Sequence, residues 1–280
     1  MVGLRAFAGR MSRRARPSPA MRRGLSRVAI AFWVLAVLLI PAGCLYPEER
    51  RVGQEPSVEY LREVQAAVDR YREAEGGLLP IQTRPADVPR YEKYPLDFRQ
   101  LVPRYLARIP PNAFEQGGRY QYVLIDVETT PQVRLLDLAV AAAVNDVQTA
   151  VNRYWMKRGA LPIRDVKPNG FYGIDYAALN LQPVQVKSPY TGQYLPLLMD
   201  PLGRVGVDYA LDLAQLLPKH ADPSRLPKDL RDFLARNHLF VPVRAFPYRL
   251  ERGEPVPLPN GFSFSPVINP AATHIFVLSN

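Results

Sequence analysis

Cysteine and histidine are scarce in this chain of 280 residues, which has one cysteine and three histidines. The single cysteine, Cys44, has no partner for an intramolecular disulfide, and no second thiol is present to complete a cysteine-type zinc site. The histidines, His220, His238 and His274, do not stand at the spacing of metal ligands. We interpret them as surface or capping residues.

The short motifs that mark common catalytic and nucleotide-binding sites are also missing. The chain contains no Gly-x-Ser-x-Gly elbow, no Walker loop and no dinucleotide fingerprint. Residues 261–265 (GFSFS) have a superficial likeness to a nucleophile motif, but no strand-to-helix pattern flanks them. We therefore expect a protein that is not an enzyme and that holds no cofactor.

Acidic residues are absent from the N-terminal end of the chain. Residues 1–27 contain eight of the 36 Lys and Arg residues and no Asp or Glu, so 28 basic residues face 26 acidic ones from Val28 onward. The formal charge of +10 therefore belongs mainly to the N-terminal segment. The remainder lacks the basic stripe that binds phosphate, and we expect no nucleic-acid partner.

An uncharged apolar run, Val28–Ile40, follows the basic segment, and small residues lead directly to Cys44. A basic start, a short apolar stretch and small residues predict a secretory signal over residues 1–43, with Met21 as an alternative start. The competing interpretation is an uncleaved membrane helix from Val28 to Leu45, which is at the lower limit for spanning a bilayer and is interrupted by proline and glycine.

The segment Ala42-Gly43-Cys44 resembles the end of a bacterial lipoprotein signal. The resemblance implies that a diacylglyceryl group is attached to Cys44, that the leader is removed, and that residues 44–55 link a lipid anchor to the body of the protein. It departs from the family at Pro41, where an aliphatic residue is usual. The expected location is the extracytoplasmic face of the cell membrane, with the membrane itself as one partner.

Two stretches of the body are nearly identical. Val64–Tyr71 reads VQAAVDRY and Val147–Tyr154 reads VQTAVNRY, and further matches follow in the same order, such as Asp97 with Asp175 and Asp126 with Asp200. The recurrence predicts two tandem modules, residues 56–134 and 135–213.

Each predicted module opens with a helix whose apolar residues recur at intervals of three and four. Ser57 is the expected N-cap of the first helix and Gly76-Gly77 its end, while Gly159 ends the second. Strands follow at Tyr120–Val127, Tyr194–Met199 and Val205–Tyr209. We expect an α+β fold: two tandem modules, each a long N-terminal helix packed on a small antiparallel sheet, and then a proline-rich C-terminal extension over residues 214–280.

For the extension we predict a helix over Pro223–His238, a hairpin turning at Arg252-Gly253, and a final strand at His274–Leu278.

The module pattern resembles the globular domain of the major pseudopilins of type II secretion. The residues that carry the resemblance are Tyr71, Gly77 and Pro80 in the first copy and Tyr154 and Gly159 in the second. A pseudopilin keeps its apolar segment as the start of its helix, whereas here that segment precedes Cys44, so a pilus-like fibre is not implied.

The whole chain also looks like the uncharacterised YphF-type lipoproteins of Gram-positive bacteria. The segments Leu45–Glu48 and Leu78–Arg84 carry this resemblance.

Few residues are candidates for chemistry. Asp97 and Asp175 could be paired carboxylates for acid–base work, but a helix-capping role for each is favoured. Asp200, Asp208 and Asp212 form a faint calcium candidate, with turn or surface roles preferred.

The expected function is that of a non-catalytic envelope scaffold or interaction protein with an unidentified envelope protein partner. The alternatives are a solute-binding lipoprotein of an ABC transporter and, with less support, an envelope hydrolase.

Overall fold

A computed structural model describes residues 55–82, 84–85, 88–218 and 222–259. They lie in the second of two compact units, Glu49–Asn280. The predicted leader, Cys44, His220, the GFSFS segment and the final strand with His274 lie outside the described residues. Within the described ranges, no helix has the length and hydrophobicity that crossing a bilayer requires.

The described chain alternates helices with short antiparallel strands. The α-helices are α1 (Val58–Ala74), α2 (Phe98–Leu101), α3 (Leu138–Arg158), α4 (Ala210–Leu216) and α5 (Arg231–Asn237). The strands are β1 (Tyr120–Ile125), β2 (Gln132–Asp137), β3 (Ile163–Val166), β4 (Tyr172–Ile174), β5 (Gln185–Lys187), β6 (Tyr194–Met199), β7 (Val205–Val207), β8 (Tyr248–Glu251) and β9 (Glu254–Pro257). The expected α+β class is confirmed.

Helix α1 begins and ends where the sequence predicts. The Ser57 side chain accepts hydrogen bonds from the backbone N–H groups of Glu59 and Tyr60. At the other end Gly76 and Gly77 adopt positive φ angles, and the Gly77 N–H reaches back to the Arg72 carbonyl at 2.8 Å, as in a Schellman motif.

The buried side of α1 is narrower than the predicted stripe. Val64, Ala67 and Val68 are buried, whereas Val58, at the first turn, is 44% exposed.

Helix α3 is the more deeply buried of the two long helices, as its composition predicts. The Asp137 side chain caps its N-terminus by accepting a hydrogen bond from the Ala139 N–H, and Gly159 ends it with a φ of 66°. Its buried residues are Val140, Ala141, Val144, Val147 and Val151.

The strands form three antiparallel sheets. β1 and β2 pair from Tyr120–Asp137 to Ile125–Gln132, and β8 and β9 form a second hairpin. The larger sheet has the order β3-β4-β6-β5, with β7 also on β6. The turn between β6 and β7 is closed by the Gly203 N–H, which donates to the Asp200 carbonyl at 2.9 Å.

A glutamine on each long helix holds the second strand of the hairpin that follows it. Gln65 accepts a hydrogen bond from the Val133 N–H at 2.7 Å and donates to the Pro131 carbonyl at 3.1 Å. Gln148 makes the same two contacts with the Val205 N–H at 2.7 Å and the Gly203 carbonyl at 2.9 Å. In both halves of the body, the glutamine side chain thus provides hydrogen-bond partners for one backbone N–H and one backbone carbonyl at the start of the strand.

A second contact also recurs after each long helix. The Asp97 N–H donates to the Pro80 carbonyl at 2.8 Å, and the Asp175 N–H donates to the Pro162 carbonyl at 2.8 Å. Asp97 and Asp175 are positions that correspond in the two repeated parts of the sequence.

Two hydrophobic cores result. The first lies between α1, α2 and the β1–β2 hairpin, and Phe240 from the C-terminal part of the chain joins it. The second is larger and includes α3, the β6–β7 strands, α4, α5 and the segment from Val241 to Tyr248.

The predicted C-terminal helix over Pro223–His238 is wrong at its start. The chain makes a 3-10 turn at Pro223–Arg225, and α5 begins only at Arg231. Leu230 is the N-cap of α5, and the Asp229 carboxylate before it accepts the Arg231 N–H at 3.0 Å.

The predicted hairpin at Arg252-Gly253 is confirmed, and both turn residues have positive φ angles. Helix α2 has only four residues, Phe98–Leu101. α2 ends at Leu101 because Val102, which precedes Pro103, is extended.

We expect Gln148→Leu and Gln65→Leu each to lower the free energy of unfolding by about 1–3 kcal/mol, because each leaves a backbone N–H and a carbonyl without their partner. Urea denaturation measures this loss. The control is Gln215→Leu on the exposed face of α4, which should change stability by less than about 0.5 kcal/mol. Equal effects for all three variants would contradict the role given to the paired glutamines.

Candidate interaction site

The two aspartates considered as paired carboxylates cap separate turns. Asp97 accepts a hydrogen bond from the Arg99 N–H at 3.2 Å at the start of α2. Asp175 accepts one from the Ala178 N–H at 3.1 Å. This agrees with the capping interpretation, and the Arg99 side chain lowers the pKa of Asp97 further by hydrogen bonding to it.

The structure does not assemble Asp200, Asp208 and Asp212 into a calcium site. Asp200 is fully buried against Arg204, and Asp208 accepts the Tyr248 hydroxyl at 2.9 Å. Among the described residues, no group of three His, Cys, Asp or Glu side chains could hold a metal ion. Hydrogen-bond donors of the protein itself engage these three carboxylates instead.

Asp212 of α4 fastens the turn between β5 and β6. Its two oxygens accept the Ser188 hydroxyl at 2.7 Å and the Thr191 hydroxyl at 2.6 Å. Burial raises the pKa of this carboxyl, and the two hydroxyl donors oppose that shift. Ser188 is itself 3% exposed and also accepts the backbone N–H of Tyr190, so it is a structural hydroxyl.

His238 lies directly after α5, half-buried, with its ring edge-on to Tyr190 at 5.3 Å between centroids. Burial lowers the pKa of His238, and Asp212 opposes the shift. The Tyr190 hydroxyl donates to the Phe240 carbonyl at 3.3 Å. Tyr190 therefore holds the chain on both sides of Leu239.

The tyrosines of the first half mainly support its core. Tyr122 is buried and donates its hydroxyl to Asn112 at 2.8 Å, while Tyr71 donates to Gln100 at 2.7 Å. Among the large hydrophobic side chains that are clearly exposed, Tyr194 is the one tyrosine of the described residues, with 65% exposure.

The feature that joins the two halves of the body is the segment of residues 238–246, here called the clasp, which turns at Val243 and Arg244. It pairs in parallel with β2 through Phe240 and with β7 through Ala245. Leu135 of β2 donates its N–H to the Leu239 carbonyl at 2.9 Å and accepts the Val241 N–H at 3.0 Å. The clasp thus makes one isolated bridge to the first hairpin and another to β7.

Each end of the clasp inserts an aromatic ring into one core. Phe240 packs edge-to-face against Tyr120 at 5.4 Å, and Phe246 packs against Phe171 at 4.8 Å. A Cβ at Gly206 would lie 2.6 Å from the Phe246 ring and 2.7 Å from the Arg244 carbonyl. Only glycine leaves room there for the clasp.

Charged side chains fasten α5, just before the clasp, to the first half of the body. Arg236 donates two hydrogen bonds to Asp126 at 2.8 and 2.9 Å, and these lower the pKa of the Asp126 carboxyl. Asp232 accepts the Tyr91 hydroxyl at 2.7 Å and pairs with Arg90 at 3.1 Å.

Two more arginines add to these polar contacts. The contacts between the first half of the body and the segment formed by α5 and the clasp are here called the charged seam. Arg134 of β2 donates to the Ala235 and Arg236 carbonyls at 2.6 and 2.8 Å, which satisfies the last turn of α5. Arg244 of the clasp pairs with Glu92 at 2.7 Å, and both side chains are about nine-tenths buried. Burial raises the pKa of Glu92, and Arg244 partly offsets the shift.

A cavity of about 60 Å³ lies at the seam, lined by Arg90, Tyr91, Tyr94, Leu124, Ile125, Asp126, Asp232, Ala235 and Arg236. It is far smaller than the few hundred Å³ typical of a pocket for a small organic molecule. It has room for a few waters between the ion pairs.

Comparison with known proteins identifies one family for part of the chain. Residues 57–137 match the model described as the YphF family N-terminal domain. This supports a relationship to YphF-type proteins over that segment. No curated protein and no solved structure matches the chain.

The matched segment coincides with an element boundary at each end. It starts at Ser57, the N-cap of α1, and stops at Asp137, the N-cap of α3. The matched segment therefore spans α1, α2 and the β1–β2 hairpin.

Sequence reasoning missed the clasp. Residues 241–270 stand out by their prolines, which hid the apolar run at Leu239–Val243. The available signals were that run and Gly206 inside a β-strand, since a glycine in a strand often marks close approach of another backbone.

We expect His238→Phe to weaken the dependence of stability on pH between about pH 7 and 5. The folded chain lowers the pKa of His238, so the stability associated with this group is present above its ordinary pKa and is lost as the pH falls through the folded-state value. Phenylalanine keeps the edge contact with Tyr190 but does not titrate.

Unfolding free energies of wild type and variant across this range test the expectation. Asp212 and Glu92, whose pKa values are raised, contribute the opposite trend in both proteins, so the difference between the two curves is the informative quantity. A difference that does not change with pH would show that His238 does not titrate in a distinct environment.

Proposed function

We propose that this protein is an exported lipoprotein, tethered through Cys44 to the outer face of the cell membrane, and that it acts there as a non-catalytic scaffold. The observation that carries the proposal is the leader: eight arginines without an acid, a 13-residue apolar run at Val28–Ile40, and Ala42-Gly43 directly before the sole cysteine. The nearly neutral body that follows supports it.

The predicted linker sets the distance between body and membrane. Residues 44–55 span at most roughly 40 Å when fully extended. A lipid at Cys44 would therefore keep the body within this distance of the bilayer surface, where it can meet other membrane-bound proteins. Lipid attachment contributes about 0.8 kcal/mol for each buried methylene, so two or more chains hold firmly.

We further propose that the body consists of two tandem copies of one module, residues 56–134 and 135–213. The paired contacts of Gln65 and Gln148 support this, because each glutamine engages the same two backbone groups of the following hairpin. The family match over residues 57–137 covers the first of these modules.

Binding of other proteins, rather than of solutes, is favoured by how the body uses its polar groups. The carboxylates at the seam, Asp126, Asp232 and Glu92, are engaged by arginine side chains. The cavity between them, about 60 Å³, is small for a nutrient-sized ligand. The clasp, whose Phe240 and Phe246 lie in the two cores, holds these parts of the body together.

We expect Cys44→Ser to move the protein from the membrane fraction to the soluble fraction, since serine cannot form the thioether to the lipid. Phase partitioning in detergent and intact-protein mass spectrometry of the purified protein measure the change. Tyr46→Ser is the matched control, because it alters the same stretch and keeps the thiol.

The control should stay with the membrane and carry the mass of the lipid. A Cys44→Ser protein that remains membrane-bound would point instead to an uncleaved helix over Val28–Leu45. An unlipidated wild type in the cytosol would refute the proposed location altogether.

A further inference from the structure

We propose that the exposed end of α3 and the strand β3 that follows it, residues 153–167, form a contact surface for a bilayer that carries anionic lipid headgroups. This segment is here called the basic tip. The inference rests on the membrane tether proposed above, and it adds which side of the body is turned toward the bilayer.

The basic tip holds the excess positive charge of the body. Its 15 residues contain five basic side chains and one acidic side chain, a net charge of +4. From Val28 onward the chain has 28 basic and 26 acidic residues, a net charge of only +2, so the remainder is slightly acidic. The charged residues of the tip are Arg153, Lys157, Arg158, Arg164 and Lys167, with Asp165 as the acid.

Large apolar side chains project into solvent among these charges. Val166 of β3 is 74% exposed and Met156 of α3 is 72% exposed, the two highest values for large hydrophobic residues in the part of the chain that the structure describes. Ile163 is 42% exposed, and Trp155, next to Met156 in the helix, is half-buried. Burial of such side chains against an apolar partner is favourable.

The cations of the tip are available to a partner. Asp165 is engaged by Lys167 at 2.9 Å and by Arg164 at 3.6 Å. Three further cations at the end of α3 are exposed, and they form no ion pair with any residue of the described ranges: Arg153, Lys157 and Arg158.

The first half of the body uses the corresponding positions differently. Residues 70–84 align with the basic tip and carry three basic and two acidic residues, a net charge of +1. Glu73 stands at the position of Met156, and Glu75 pairs with Arg104 at 3.2 Å. The helix-and-hairpin arrangement that both halves share therefore does not require a basic helix end with exposed apolar side chains.

A bilayer surface fits the combination of charges and apolar groups better than the alternatives. The helix dipole favours Lys157 and Arg158 at the end of α3, but it does not account for the exposure of Met156 and Val166. Lysine is depleted from the cores of protein interfaces. At a membrane, long basic side chains reach the headgroup phosphates while apolar side chains between them enter the boundary with the acyl chains.

The predicted linker is long enough for this contact. Asn112 donates to the Glu55 carbonyl at 3.1 Å and accepts the N–H of Tyr120, which pairs with Asp137 at the start of α3. The 21 residues of α3 extend about 31 Å from there. Residues 44–55 reach roughly 40 Å when extended, so the far end of α3 can lie on the bilayer that holds the anchor.

The test uses the full-length lipidated protein in vesicles, with Met156→Cys labelled at the introduced thiol by an environment-sensitive nitrobenzoxadiazole dye. A lipidated Cys44 has no free thiol to react. The vesicles contain neutral phosphatidylcholine alone or an equimolar mixture with anionic phosphatidylglycerol. The dye emission should shift to the blue and strengthen on the mixed vesicles, should stay as in water on the neutral ones, and should revert when salt is added.

Glu73→Cys is the matched control for the label, because it stands at the corresponding position of the first half. Its dye should give the same emission on both kinds of vesicle. This control separates contact of the basic tip from a general approach of the body to the bilayer.

A second pair of variants tests the charges, in the Met156→Cys background. Each Lys or Arg near an anionic surface strengthens binding by roughly fivefold. Replacing Arg153, Lys157 and Arg158 together by glutamine should therefore return the dye emission to its value on neutral vesicles. The matched control removes the same charge from exposed arginines of the first half and should keep the response: Arg62→Gln, Arg72→Gln and Arg108→Gln.

Flotation of the vesicles distinguishes the two ways in which the experiment can fail. Protein that does not float with the vesicles, or wild type that takes up the dye at Cys44, would refute the lipid anchor and thus the proposed function. With the anchor intact, three results would each overturn the basic tip as a bilayer contact: no dye response on mixed vesicles, an equal response from Glu73→Cys, or a response that survives loss of the three cations.

Discussion

The body of this protein depends on covering the free edges of two short β-hairpins. A strand edge presents unpaired N–H and carbonyl groups, and β2 and β7 each have such an edge. The clasp pairs with both, at Leu135 and at Val207, and places a phenylalanine in each core. Without this segment, two helix-on-hairpin units would each expose an apolar cleft and an unpaired edge.

The contact between the clasp and the first hairpin joins residues that are far apart along the chain. Leu135 and Phe240 are more than one hundred residues apart, so their contact closes a long loop and is entropically costly. The contacts within each half, such as Gln65 with Val133, close shorter loops.

Burial of apolar side chains stabilises the contact between the clasp and the two cores, and ion pairs fix the position of the clasp. Phe240, Val241, Val243 and Phe246 are buried, and this burial provides the larger share of the stabilising free energy. The exposed pair Arg236–Asp126 contributes less than about 1 kcal/mol, since partly solvated ion pairs are weak. The better buried pair Arg244–Glu92 fixes the register, because either charge left alone at that depth would be costly.

The sequence by itself determined the local features. Ser57, Asp97 and Gly159 act at their predicted helix ends, and the turn at Arg252-Gly253 forms, because caps and turns depend on a few neighbouring residues. The repeated VQxAV pattern indicated that Gln65 and Gln148 correspond, although not what they bind. The helix predicted over Pro223–His238 was wrong at its start, because the chain forms a 3-10 turn at Pro223–Arg225 and α5 begins only at Arg231.

Only the tertiary structure decided which distant segments meet. Nothing local in the proline-rich C-terminal part indicates that Phe240 belongs to the first core and Phe246 to the second, since the partner edges lie far away along the chain. The partners of Asp126, Asp200 and Asp212 were hidden for the same reason: a carboxylate pattern in sequence does not tell whether an arginine, a hydroxyl or a cation will face it. Those choices follow from the three-dimensional packing that brings the clasp across both hairpins.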